Sequence, residues 1–188
     1  MSRVDFKPGN MLYPVPAVLV SVANKAGKSN LFTVAWAGTI CSDPPCVSIS
    51  VRKNRFSYNM LRETGEFVIN LTTKDLAFAT DYCGVVSGRD VDKWQRTGLT
   101  PVPGTKVSVP YIKESPVAIE CRIMDVKELG THDMFIAEVV AVTVDDTYMD
   151  ETGRFNFKDA DPLAYSHGEY YTLGECVGKF GYSVRKNK

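Results

Sequence analysis

The chain has 188 residues, 44% hydrophobic and 23% charged, and its 22 Lys and Arg are balanced by 22 Asp and Glu. This composition can bury enough apolar surface to offset ordering entropy, which excludes a disordered chain, and zero net charge removes the basic excess expected of a nucleic-acid binder. The opening MSRVDFKPGN has no apolar leader core, no apolar run is long enough to cross a bilayer, five scattered cysteines make no disulfide framework, and two histidines stand at no metal-ligand spacing.

A single domain over residues 1–188 is therefore expected, cytoplasmic, with reduced thiols and no membrane partner. After a polar lead-in at 1–12, Pro14 and Pro16 bracket the start of AVLVSVA at 17–23, a β-branched run that suits a strand, and residues 24–30 read as a hairpin turn. Residues 31–38 form a second strand, stopped at Pro44 and Pro45, which cannot donate to a ladder. Residues 46–51 alternate, with Val47, Ile49 and Val51 on a core face and Ser48 and Ser50 on a polar one. A short helix follows over 56–64, with Asn54 as cap and Gly65 as stop. Residues 67–71 make a strand. Thr72 and Asp75 resemble a capping box opening a helix over 74–82, with Leu76, Ala79 and Cys83 at helical spacing and Gly84 ending it. Residues 83–94 read as a loop with at most one helical turn at its end, and 101–110 as a connection. Two long β runs, 116–129 and 135–144, flank the turn GTHD and form a hairpin. The tail at 146–188 is aromatic and irregular, and should pack on its own barrel or on a second subunit. At least six strands and two short helices without βαβ alternation point to a mainly β fold, a barrel with inserted helices.

The chemistry gathers at the junction after the third strand, where Ser48, Ser50, Arg52, Lys53, Arg55 and Ser57 place hydroxyl and cationic groups between a strand and a helix start. Residue types alone leave two readings open: a solvated basic face, or an anion site on which helix amides and arginines converge. No Gly-rich nucleotide loop accompanies it. Ser87, Gly88, Arg89 and Lys93 add cations and approachable backbone to what otherwise reads as a surface loop. His132 is either an ordinary exposed histidine or one that reaches over a barrel end. Cys83 reads either as a reactive thiol at the end of a helix or as a buried or inert one, and a helix C-terminus, which disfavours the thiolate, favours the second. Trp36 and Tyr58 read as core or interface rings, with stacking on a ligand as the second possibility.

Five segments in order, NLFTVAWAG, CVSISVRKNRFSYNMLRETGEFVINL, YCGVVSGRDVDKW, ELGTHDMFIAEVV and DPLAYSHGEYYTLGE, resemble the flavin reductase-like family of FMN-binding split barrels, in its flavoredoxin branch. The resemblance implies a six-stranded antiparallel split β-barrel with helical insertions, a homodimer, and one FMN per subunit, with FAD the poorer fit. Carried over residue by residue, Asn30, Thr33, Ala35 and Trp36 would line the flavin. Ser48, Ile49, Ser50 and Val51 would offer backbone and hydroxyl groups to its ring and ribityl chain. Arg52, Arg55 and Ser57, with Tyr58 beside them, would stand at the phosphate. Cys83, Ser87, Gly88, Arg89 and Lys93 would close over the cofactor, and His132, in a Gly-x-His turn, would lie near the nicotinamide or flavin ring. The implied activity is an FMN-dependent oxidoreductase moving electrons between NAD(P)H or a redox protein and an acceptor. A flavin-binding electron carrier without its own substrate pocket is the alternative. Outside the resemblance stands a barrel that binds nucleic acid or oligosaccharide on its face.

Overall fold

In the computed structural model, which describes residues 1–184, the strands are β1 (Val15–Pro16), β2 (Val18–Ala23), β3 (Ser29–Val34), β4 (Ala37–Ser42), β5 (Pro45–Arg52), β6 (Glu66–Asn70), β7 (Pro101–Val102), β8 (Tyr111–Ile112), β9 (Val117–Glu128), β10 (His132–Val144), β11 (Leu163–Ser166) and β12 (Glu169–Thr172). The helices are α1 (Phe56–Thr64), α2 (Ala77–Val85) and α3 (Lys93–Thr97). No helix among the described residues is long and apolar enough to cross a membrane.

Every residue of β2 is buried, which its sequence explains by giving it two apolar faces. Val18, Val20 and Val22 join Phe32, Ile49, Phe67 and Phe135 in the main core, while Leu19 and Leu31 of β3 pack outward on Leu76, Ala79 and Cys83 of the α2 region and on Trp94 of α3. The helices thus clamp onto the β2–β3 side of the sheet and carry the loop between them toward β3.

The principal sheet has seven antiparallel strands in the order β3-β2-β6-β9-β10-β5-β4, one more than the six expected. Its two edge strands, β3 and β4, are consecutive in the chain with only Ala35 and Trp36 between them. Three peptide steps reach at most about 11 Å, so the sheet has to roll until its edges meet. No ladder joins β3 to β4; instead the Ser50 N–H donates to the Trp36 carbonyl at 2.8 Å across the step. That bond also corrects the strand expected over 31–38. The chain leaves one edge after Val34 and joins the other at Ala37, running on to Ser42 before the turn at Asp43 and Pro44.

Other boundaries shift for local reasons. α1 is preceded by Arg55, with no side chain capping it, so Asn54 is not the cap. α2 continues through Gly84 to Val85, because a side-chain-free residue lets the helix press on β3: a Cβ there would lie 3.3 Å from the Thr33 Cβ. Residues 101–102 and 111–112 pair as a short ribbon within the expected connection. The tail is not wholly irregular, since β11 and β12 form a hairpin that pairs with β1. Its two-residue turn is His167 and Gly168, both at positive φ (49° and 92°), the conformation that matches strand twist.

The loop between β7 and β8 is fixed by Glu120, a fully buried carboxylate that accepts from the N–H groups of Thr105, Lys106 and Val107 and from the Thr105 hydroxyl. Burial alone would raise its pKa, but these donors together outweigh burial and hold it below the ordinary value. A depressed carboxyl contributes stability above its unfolded pKa, about 4.3, and loses it as pH falls through the folded value. Glu120→Gln, which turns an amide NH2 toward backbone donors, is expected to lower the unfolding free energy by roughly 1–3 kcal/mol near neutrality in urea titrations. The deficit should shrink in acid, where the wild-type carboxyl also loses its charge.

Candidate functional site

The rolled edge of the sheet leaves a cleft where β3, the β5–α1 junction, the start of β10 and α2 converge. It consists of two adjoining chambers of about 510 and 350 Å³ that share Phe32, Thr33, Arg52 and Arg55. Each volume is within the range of small-molecule sites, about 300–1,000 Å³.

The smaller chamber is cationic. β5 ends at Arg52 and α1 begins after Arg55, so both guanidinium groups and the first amides of α1 border it, with Ser57 and Phe56. No side chain caps α1; the Arg55 and Tyr58 N–H groups donate to the carbonyls of Arg52 and Arg55, which leaves those of Phe56 and Ser57 for an acceptor. From the other side, α2 and the following turn bring Cys83, Ser87, Gly88 and Arg89, and α3 brings Lys93. Lys93 is only 3% exposed, and its Nζ donates at 2.8 Å to the carbonyl of Cys83, in the last turn of α2, where helix carbonyls are partly negative. Among the described residues, none of Arg52, Arg55, Arg89 and Lys93 lies within 4.0 Å of a carboxylate, and no acidic residue lines this chamber. Burial, with a smaller push from Arg55 against a pull from Cys83, lowers Lys93 to about 8, while burial raises the Cys83 thiol to about 11 and leaves it protonated. Lys93 is thus a buried cation without a carboxylate partner, which is costly unless an anion joins it, while Arg52, Arg55 and Arg89 are exposed at the rim and free to meet one. The wall is close-fitting at Gly88, where a Cβ would stand 2.3 Å from the Asn30 Oδ1 and 2.8 Å from the Phe56 Cδ1. Asn30, itself buried, donates from Nδ2 to the Ser57 hydroxyl at 2.8 Å and locks β3 to α1.

The larger chamber is walled by the Thr33–Trp36 step, by Ser50 to Arg52, by His132, and by Tyr165, Gly168 and Tyr170 of the C-terminal hairpin. Tyr13 connects the rings: its centroid lies 6.0 Å from Trp36, 6.0 Å from Tyr165 and 4.4 Å from His167. Tyr170 donates to Asp81 of α2 at 3.3 Å and so ties the hairpin across the cleft. His132 starts β10 directly opposite Arg52. Burial, then the Arg52 and Arg55 charges, hold its pKa below the ordinary value, so it is a neutral imidazole at neutral pH.

Most of the residues singled out in the sequence meet here. Asn30, Ser57, Cys83, Ser87, Gly88, Arg89 and Lys93 line the smaller chamber; Ala35, Trp36, Ser50, Val51 and His132 line the larger; Thr33, Arg52 and Arg55 line both. Ser48 sits farther out, in a hollow bordered by Trp36, Gly38 and Leu129. Two do not belong. Ile49 is fully buried in the main core, as its alternation with Val47 and Val51 requires. Tyr58 stands edge-on to Phe135 at 5.6 Å and donates at 2.5 Å to the buried Asp133, which anchors α1 to β10 rather than lining the cleft. Asp81, Tyr165 and Tyr170 were not singled out as site residues, although the aromatic density of the tail was visible.

Residues 10–174 match the model of the flavin reductase like domain. The solved flavoredoxin of Desulfovibrio vulgaris (Miyazaki F) superposes with a TM-score of 0.91 at 33% identity, covering 98% of this chain and 100% of that one. The flavoredoxin from Methanosarcina acetivorans gives 0.89 at 29% identity, with 98% and 100% covered. A Streptomyces pristinaespiralis protein named NADH:riboflavin 5′-phosphate oxidoreductase is 24% identical over 136 residues, 70% of this chain and 72% of that protein. With the domain matched across most of its length and its fold shared with solved flavoredoxins, the chain belongs to the flavin reductase-like family.

Proposed function

We propose that the chain is an FMN-dependent oxidoreductase that passes electrons from NAD(P)H or a redox protein to an acceptor. The observation that carries this reading is the uncompensated cationic chamber opening directly into an aromatic-walled one, a match for a flat ring system bearing a terminal phosphate. Arg52, Arg55, Lys93 and the free amides of α1 would hold the phosphate, and the Gly88 wall would close over it. Thr33 to Trp36, Ser50 and His132 would border the ring. FMN supplies the redox chemistry when bound, accepting two electrons and returning them singly or in pairs. The chain binds and orients it, and the arginines favour added negative charge. His132, neutral and opposite Arg52, offers a hydrogen bond in the larger chamber without adding charge.

A reduced donor has to approach through the larger chamber, since the sequence holds no second nucleotide-binding motif. Anaerobic addition of NADH or NADPH to the FMN-loaded protein should bleach the flavin absorbance. Retained colour with both, but bleaching by a reduced redox protein, would move the assignment to an electron carrier. A second copy of the chain is the partner we propose for the outer hollow, where Met11 and Leu12 of the exposed N-terminal arm meet Ala37 and Leu129; sedimentation at micromolar concentration should show a dimer.

Lys93 sets a pH dependence. Between about pH 6, where a phosphomonoester acquires its second charge, and about 8, FMN affinity should be flat. As pH rises through about 8 the Lys93 amine loses its proton and affinity should fall. Titration of apo protein by flavin fluorescence reads this directly. Constant affinity up to about 10, the ordinary lysine range, would remove Lys93 from the phosphate contact.

A further inference from the structure

At the end of the β4–β5 hairpin remote from the cleft, Cys41 and Cys46 are paired directly across the two strands. Thr39 opposes Val47, Ile40 is skipped in a register shift, and Cys41 then opposes Cys46. Opposed residues of an antiparallel pair project to one face with Cα atoms about 4.5–5.5 Å apart, inside the roughly 4.4–6.8 Å that disulfides span. Both thiols are free, Cys41 exposed and Cys46 buried. Each donates to a carbonyl of the short turn between them, Cys41 to Asp43 at 3.5 Å and Cys46 to Pro44 at 3.4 Å. Burial first, then the neighbouring Cys41 thiol and the Glu138 carboxylate, push the Cys46 thiol up. The remaining cysteines have no such neighbour: Cys83 and Cys121 are buried apart, and Cys176 is exposed in the tail.

We propose that Cys41 and Cys46 form a reversible dithiol–disulfide pair, a modification site that exchanges with low-molecular-weight disulfides of the glutathione class. The exposed Cys41, as thiolate, attacks one sulfur of the oxidised disulfide; its S–S bond breaks and the first small thiolate leaves and takes up a proton. Cys46 then gives its proton to solvent and attacks the Cys41 sulfur, which releases the second small thiol and closes the protein disulfide. The protein loses two electrons and two protons, and the small disulfide gains both. The product ties the edge strand β4 to β5. The pair lies outside the cleft, so its chemistry does not depend on flavin.

Equilibration of the full chain with mixtures of reduced and oxidised glutathione, quenching with iodoacetamide and peptide mapping tests this. The expected result is loss of both adducts at Cys41 and Cys46 together, appearance of a peptide joining them, and full reversal when excess reduced glutathione is added. In Cys46→Ser, the mixed disulfide at Cys41 should accumulate as the dominant oxidised form, whereas in wild type it should remain a trace. Wild type that stops at the Cys41 mixed disulfide, that links Cys41 to Cys176 or to another chain, or that keeps both adducts at every ratio overturns the proposal.

Discussion

Arg55→Ala is expected to weaken FMN binding by about tenfold to a hundredfold. The guanidinium borders both chambers, heads an α1 that no side chain caps, and has no carboxylate within reach among the described residues. Arg55 is exposed but unpaired, so its charge is free for a ligand, unlike that of a surface ion pair, for which removal costs about 0–1 kcal/mol. Loss of a charge-assisted hydrogen bond costs roughly 1.5–3 kcal/mol, which at 1.4 kcal/mol per decade gives the stated range. Two further readouts separate this from general damage. Riboflavin, which lacks the phosphate, should bind the variant as it binds wild type. The pH at which affinity declines should also move upward, because the Arg55 charge is one of the influences holding Lys93 down. Fluorescence titration of apo protein with both ligands across pH checks all three.

Gly88→Ala should damage the site without removing a charge. The new Cβ would overlap the Asn30 amide at 2.3 Å and the Phe56 ring at 2.8 Å. Neither neighbour moves freely: Asn30 is buried and bonded to Ser57, and Phe56 is the first residue of α1. Overpacking of this kind costs roughly 1–3 kcal/mol. Relief by outward movement of the turn would carry Arg89 away and shift α3, so FMN affinity should drop by roughly tenfold or more. Gly174→Ala, where an added Cβ meets nothing within 4 Å, is the matched control and should change neither stability nor affinity.

The cationic junction was legible because it is local. Ser48 to Ser57 lie in one stretch, and period-two alternation already separates Ser48 and Ser50 from Val47, Ile49 and Val51. The same alternation turns the Ile49 side chain into the core and leaves its backbone as what it can offer a ligand. That Lys93 joins Arg55 around one chamber was not local: it depends on α2 packing tightly on Thr33 through Gly84, and only the family resemblance placed it there. The break at Ala35 and Trp36 was hidden because apolar and β-branched residues continue through it; a tertiary bond from Ser50 to Trp36 decides where the chain changes edge. The hairpin of β11 and β12 was missed because its turn is His167 and Gly168, in place of the Asn-Gly or Asp-Gly pair that signals such a turn in a sequence. Tyr165 and Tyr170, which wall the larger chamber, went unassigned with it.

A cationic chamber that binds the terminal phosphate of a flavin has to distinguish FMN from riboflavin. Parallel titrations of apo protein with FMN and riboflavin at neutral pH test it most directly. FMN is expected to bind at least about a hundredfold more tightly, since several charge-assisted contacts of roughly 1.5–3 kcal/mol each depend on the phosphate. Equal affinity for the two flavins would contradict it.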